Sequence, residues 1–205
     1  VQLKDRSTLF IDDRELQSLE TSARRMRGEI FFAERWLIVE GQSDYLIVYG
    51  IAFALGYDLD RHGVAVIDAQ NNGSPAMFAV LARALNIPWL AVFDGDQAGQ
   101  TYKRQIAERG FNADEINYRI HLHSENDLET QLVADGLNTE LRAILETLGE
   151  RNADSLNDKD LIERLQNSKT RYAPALAEQL RSNVDLAQRS PEAFRNAIGK
   201  LRGLE

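Results

Sequence analysis

The sequence predicts an α/β domain, a mainly parallel sheet with helices on both faces, joined to an α-helical appendage. Three observations carry this. Short apolar runs at 35–40, 64–69 and 89–93 are each followed by a turn and then by a stretch of helical length and pattern, the signature of consecutive βα units. Each run is apolar nearly throughout, as buried strands of a parallel sheet are. From about Asp127 onward the pattern is helical almost without interruption.

The elements follow in order. Leu16, Leu19, Ala23 and Met26 recur at helical spacing in a charged opening segment, with Arg24, Arg25 and Arg27 on its polar side. Arg35 to Glu40 is a strand closed by Gly41, and Ser43-Asp44 opens a helix. Val64 to Ala69 is a second strand, with Asn71-Asn72-Gly73-Ser74-Pro75 as punctuation before a helix over Ala76 to Leu85. Trp89 to Phe93 is a third, stopping at Asp94-Gly95-Asp96 before a helix from about Ala98 to Arg109. Ile116 to His121 is read as a fourth strand, and Ser124 to Glu129 as a helix start with acids in its first turn. Pro174 is placed in the first turn of a helix beginning near Ser168, and Ser190-Pro191 as an N-cap with proline at the first helical position. The division that results is a helical lead-in over 1–34, an α/β core over 35–123 and a helical region over 124–205 packed on that core.

Composition bounds the function. With 205 residues, 43% hydrophobic and 27% charged, the chain buries a real core. The absence of cysteine excludes thiolate zinc sites, iron–sulfur ligation and thiol nucleophiles, and suits a reducing cytoplasm, so any metal sits on oxygen or histidine. Charge-free runs such as Tyr45–Tyr57 are too short to span a bilayer. The chain opens on Val1 and a charged segment, which reads as the continuation of a longer protein. A net charge of −8 argues against broad electrostatic attraction to nucleic acid unless the acids hold metal ions.

The acids fall where an open parallel sheet places its site, at the carboxyl ends of strands. Glu40 closes the first strand and Asp44 begins the following helix, while Asp94 and Asp96 close the third. In an extended segment Asp94 and Asp96 point to one side, and crowded carboxylates raise one another's pKa. A divalent cation resolves that conflict, and hard oxygen ligands suit Mg2+ or Mn2+.

W-L-I-V-E-G-Q-S-D over Trp36–Asp44 and V-F-D-G-D-Q-A-G over Val92–Gly99 resemble the two acidic motifs of the Toprim fold of topoisomerases, primases and certain nucleases. Where topoisomerases extend the second motif to a third aspartate, this chain has Ala98. F-F-A-E-R-W-L-I-V-E-G over Phe31–Gly41, V-A-V-I-D-A at the second strand and L-A-R-A-L-N-I-P-W-L-A-V-F-D-G-D into the third resemble the OLD (overcoming lysogenization defect) family nucleases. So do S-K-T-R-Y-A-P-A-L-A over Ser168–Ala177 and P-E-A-F-R-N-A-I over Pro191–Ile198.

The resemblance implies a Mg2+- or Mn2+-dependent DNA endonuclease, a hydrolase working with two ions. It implies an ABC-type ATPase upstream in the full-length chain, DNA as substrate, no membrane passage, and self-association through the upstream part. It puts Glu40, Asp44, Asp94 and Asp96 in the ligand set, with Glu129 as a fifth ligand and Asp127 a weaker one. Lys169 matches the family's lysine and is assigned to transition-state charge, with Lys200 as competitor; Glu40 and Asp94 join it as catalytic residues. Gly73 and Ser74, after Asn71 and Asn72, are read as a phosphate-binding border of the crevice, and Asp68 as a weak further candidate. His62, His121 and His123 are read as non-ligands, and Trp36 and Trp89 as core. Two other readings compete: a phosphotransfer domain of haloacid-dehalogenase type, whose acidic pair would follow the first strand instead of the third, and a Toprim module of primase or recombination-mediator type without nuclease activity.

Overall fold

The computed structural model describes residues 17, 21 and 29–204. The lead-in helix expected before residue 29 lies almost wholly outside them. The described part opens on a 3-10 turn, Glu29–Phe32, and continues as β1 (Arg35–Val39), α1 (Gln42–Ala54), β2 (Val64–Asp68), α2 (Ala69–Asn72), α3 (Pro75–Leu85), β3 (Trp89–Phe93), α4 (Gln97–Glu108), α5 (Ala113–Arg119) and β4 (Ile120–Leu122). Helices then follow one another: α6 (Leu128–Ala134), α7 (Asn138–Thr147), a 3-10 turn at Ala153–Ser155, α8 (Asp158–Gln166), α9 (Lys169–Ser182), α10 (Val184–Arg189) and α11 (Glu192–Arg202).

The four strands form one parallel sheet in the order β2-β1-β3-β4. Side chains alternate across it, as the pleat demands. Leu37, Val39, Val64, Val66, Leu90 and Val92 enter a core with α1 and the helices beyond β4. Trp36, Ile38, Ile67, Trp89, Ala91 and Phe93 enter a second core with α3, α4 and α5. Both faces are therefore covered, and this is why the strands read as unbroken apolar runs. Each aliphatic side chain so buried contributes roughly 1.5–3 kcal/mol. Trp36 is fully buried, and its indole N–H donates to the Ile30 carbonyl at 2.8 Å.

Three local readings need correction. Residues 113–119 are helix and the fourth strand is only Ile120–Leu122. Asn112 accepts from the Glu115 N–H while Glu115 accepts from the Asn112 N–H, both at 2.9 Å, and this capping box outweighs the β-branched residues downstream. Pro174 lies in the second turn of α9, since the helix begins at Lys169. Pro191, not Ser190, is the N-cap of α11, with Glu192 first in the helix, one residue later than expected.

Candidate metal centre

The chain runs from β1 outward to β2, then crosses to the other side of β1 to lay down β3. This reversal parts the loops at the carboxyl ends of β1 and β3, where ligands bind in open α/β sheets. Because Val39 is level with Val92, Glu40 and Asp94 leave neighbouring strands almost side by side. The Asp94 backbone N–H donates to Glu40 Oε2 at 3.1 Å. Asp44 enters from the first turn of α1, where its Oδ2 accepts the Gly41 N–H at 3.2 Å. Asp96 stands beside them, with Oδ1 capping α4 by accepting the Gly99 N–H at 2.9 Å.

Two glycines make this packing possible. A Cβ at Gly95 would lie 2.4 Å from the Glu125 carbonyl oxygen and 2.5 Å from that of His123. One at Gly99 would lie 2.0 Å from the Asp94 carbonyl oxygen. The Asp-Gly-Asp spacing is thus a steric requirement: only glycine lets the loop after β4 and the start of α4 close on the strand end.

The electrostatics are those of crowded carboxylates. Asp94 is pushed up to about 8, first by burial and then by the charges of Asp44, Glu40, Glu129 and Asp127. Glu40 is also raised, chiefly by burial, with Asp44 and Asp96 adding to it and the Asp94 hydrogen bond opposing it. Asp44 Oδ1 and Asp94 Oδ1 are buried without a hydrogen-bond partner among the described residues. Buried polar atoms are almost always paired, and a cation could pair with these two. A third group shares the vacancy of partners: His123, whose side chain is 0% exposed, brings Nε2 to 3.9 Å from Asp44 Oδ1. One donor atom each from Asp44, Asp94 and His123 lies within 4.8 Å of the other two, so this set could hold a metal ion. The reading of His123 as a non-ligand did not foresee this. Its local sequence carries no ligand spacing, and only the β3–β4 pairing brings it here.

The helical region closes the cleft, of about 240 Å³. Glu129, on α6, is completely buried. Its Oε1 accepts the Tyr172 hydroxyl at 2.6 Å and its Oε2 meets Lys169 Nζ at 3.0 Å. Burial pushes the Tyr172 phenol well up, and the Glu129 charge adds to that. Burial works against the charged form of Lys169, but Glu129, Asp127 and Asp94 together outweigh it and hold the ammonium above its ordinary pKa. Asp127 accepts the Thr130 N–H as N-cap of α6. Lys169 and Pro174 both line the cleft; the proline leaves the Thr170 carbonyl there without its usual helical donor.

Lys200 sits elsewhere. Its ammonium donates to the Tyr118 carbonyl at 2.5 Å and lies 4.5 Å from the centre of the Tyr118 ring. On the second strand's side, Gln70 and Asn71 line the cleft, while Gly73 ends α2 and Ser74 precedes α3. Asp68 caps α2. His62 stacks on Tyr57, and His121 is lowered to about 4 by burial and the Lys200 charge. Trp36 and Trp89 are core.

Fold and site together define a Toprim-type α/β domain with an acidic crevice at its switch point. Residues 31–96 match the family described as "Overcoming lysogenization defect protein-like, TOPRIM domain". The C-terminal region of the Burkholderia pseudomallei OLD protein superposes with a TM-score of 0.70 at 23% identity, covering 84% of this chain and 98% of that one. That of Xanthomonas campestris pv. campestris OLD gives 0.66 at 24%, covering 86% and 96%. Among curated proteins, the uncharacterized protein YbjD of Escherichia coli is 31% identical over 96 residues, 47% of this chain and 17% of that protein. The OLD nuclease of Thermus scotoductus is 29% identical over 100 residues, 46% of this chain and 19% of that protein. The matches thus span about a fifth of those relatives' length. Among the described residues no helix is long and apolar enough to cross a membrane.

Proposed function

We propose that this chain is the nuclease part of an OLD-type protein, a Mg2+- or Mn2+-dependent endonuclease that nicks and cuts DNA by phosphodiester hydrolysis. The observation that carries the reading is the convergence of Glu40, Asp44 and Asp94, two of them with unpaired buried oxygens, on a cleft that Lys169 also lines. Glu40, Asp44, Asp94 and Asp96 are assigned to the ions, with Glu129 as a further ligand. Two bound ions would supply the charge that draws phosphate into an acidic crevice and lowers the pKa of the attacking water.

The chain's own residues do the rest. Lys169 is assigned to the charge that develops on the phosphate, because its ammonium is held at the cleft by Glu129 and stays protonated at neutral pH. Tyr172 fixes the other Glu129 oxygen, so the carboxylate cannot rotate away from the lysine. In this division residues 35–123 are the Toprim core, and 124–205 a helical region supplying Glu129 and Lys169. Gly73 and Ser74 are kept as a phosphate-facing border. DNA as substrate, an upstream ATPase, self-association and a cytoplasmic setting belong to the same proposal, supported by the likeness to OLD proteins.

The test is plasmid cleavage by the chain with Mg2+ or Mn2+ and no ATP. Nicked and linear products should form, and should vanish on chelation and in an Asp94→Ala, Asp96→Ala double variant. Cleavage that survives the double variant would remove the acids from the chemistry.

A further inference from the structure

We propose that His123 is a direct nitrogen ligand of the ion held by Asp44 and Asp94, and that this makes the centre bind first-row transition ions, Mn2+ among them, more tightly than Mg2+. This rests on the metal-dependent reading above and names the class of ion it uses.

The backbone aims the imidazole. The His123 N–H donates to the Phe93 carbonyl at 2.9 Å, continuing the β3–β4 pairing one residue past the strand and setting His123 beside Asp94. The Gly95 N–H donates to the Glu125 carbonyl at 2.9 Å, clamping the other side of the same loop. The Phe194 ring meets the imidazole edge to face, 5.0 Å between centres. The ring is therefore held in place before any ion arrives.

Its chemistry is unspent. Neither ring nitrogen has a hydrogen-bond partner among the described residues, and the side chain is 0% exposed. At 3.9 Å, Nε2 is too far from Asp44 Oδ1 for a charge-assisted hydrogen bond, which closes to about 2.7–2.9 Å. Donors on one small ion, each at about 2.1 Å, lie at most about 4.2 Å apart. The three donor atoms lie within 4.8 Å of one another, so one ion could gather them through small side-chain movements. Mg2+ favours an all-oxygen, water-rich shell, whereas an imidazole adds affinity for transition ions.

The experiment loads the 205-residue chain with Mn2+ alone, reads directly bound nitrogen by electron spin-echo envelope modulation, and titrates Mn2+, Co2+ and Mg2+ by calorimetry. Of the 3 histidines, a His62→Asn, His121→Asn variant leaves His123 alone, and it should keep the nitrogen signal. His123→Asn should lose it and bind Mn2+ and Co2+ at least ~10-fold more weakly, with Mg2+ nearly unchanged. Mn2+ bound without nitrogen coupling in the wild type overturns the ligand role and leaves the nuclease reading standing. No binding of any of the three ions overturns both. Should His123→Asn fail to fold, the single-histidine variant decides: coupling supports the proposal, and its absence on a bound ion refutes it.

Discussion

Asp68 and Asp94 both stand at the carboxyl ends of strands in one sheet, and they have opposite fates. Asp68 ends β2 at the sheet edge, and its carboxylate is spent locally on the Asn71 N–H at 3.3 Å and the Asn71 side-chain amide at 2.5 Å. Asp94 follows β3, between β1 and β4, and keeps Oδ1 buried and unpaired while Glu40 and Asp44 crowd it. The local sequences, apolar strand then Asp then helix, are alike. What separates them is place in the sheet: Asp94 follows a central strand and meets Glu40 and Asp44 from the β1 side and His123 from the β4 side, while Asp68 ends an edge strand flanked by β1 alone. A strand-end acid becomes a candidate site through topology, not through its own motif.

The largest expected effect breaks or keeps this comparison outright. Asp94→Asn should abolish metal-dependent plasmid cleavage, and Asp68→Asn should leave the rate within about twofold. The metal-free thermal midpoint of Asp94→Asn at neutral pH should hold or rise, because burial among like charges keeps this carboxyl protonated there at a cost that Asn does not carry. Equal losses of activity in the two variants would merge the two strand ends into one site.

The next comparison sets Lys169 against Lys200, both from the helical region. Lys169→Ala should lower the cleavage rate at least ~100-fold with Mn2+ affinity largely retained, as expected for a contact that strengthens only when charge develops on phosphate. Lys200→Ala should cost little in rate, since that ammonium is held by Tyr118. The reverse ranking would move the role to Lys200 and detach the Glu129–Lys169 pair from the chemistry.

A subtler difference is in pH dependence. Asp94 titrates near 8 in the folded, metal-free protein against an ordinary 3.8, so across that interval the folded state binds more protons than the unfolded one. Stability from this group is complete below about pH 4 and is lost as pH rises to about 8. Glu40, raised as well, acts in the same direction. Melting in chelator at pH 5, 6, 7 and 8 should show a falling midpoint whose slope flattens in Asp94→Asn and stays unchanged in Asp68→Asn. A slope that persists in Asp94→Asn would place the titrating group elsewhere.

Much of this is legible in the sequence. The three strands and their helices announced themselves because a doubly covered sheet leaves its strands unbroken and apolar, and Glu40, Asp94 and Asp96 stood out because each ends such a run. Lys169 and Glu129 were found only through resemblance; their pairing at 3.0 Å depends on α9 packing against the start of α6, which no local pattern encodes. His123 reads as a non-ligand in the sequence because it lies far along the chain from Asp44, and only the folded sheet brings the two within reach of each other. Residues 116–119, expected as the start of the fourth strand, are helix because the Asn112–Glu115 capping box starts a helix just ahead of them. Pro174 is the sixth residue of α9 and so lies past its first turn, although the helix starts where expected, at Lys169 beside Ser168.

The smallest effect concerns Asp68 as a structural group. If its carboxylate only caps α2, then Asp68→Ala removes an N-cap and should destabilise the protein by about 1 kcal/mol. In a chain of this size that lowers the midpoint by roughly 2–4 °C. Asn72 Nδ2 would still donate to the residue-68 carbonyl, so α2 keeps one of its ties to the strand. Asn at the same position retains an acceptor for the Asn71 N–H, and Asp68→Asn should therefore recover most of the loss. Melts and cleavage rates on the same preparations separate the alternatives. A loss of a few degrees with normal turnover keeps Asp68 as a cap. A normal midpoint with lost turnover would instead bring the end of β2 into the metal centre and undo the contrast between the two aspartates.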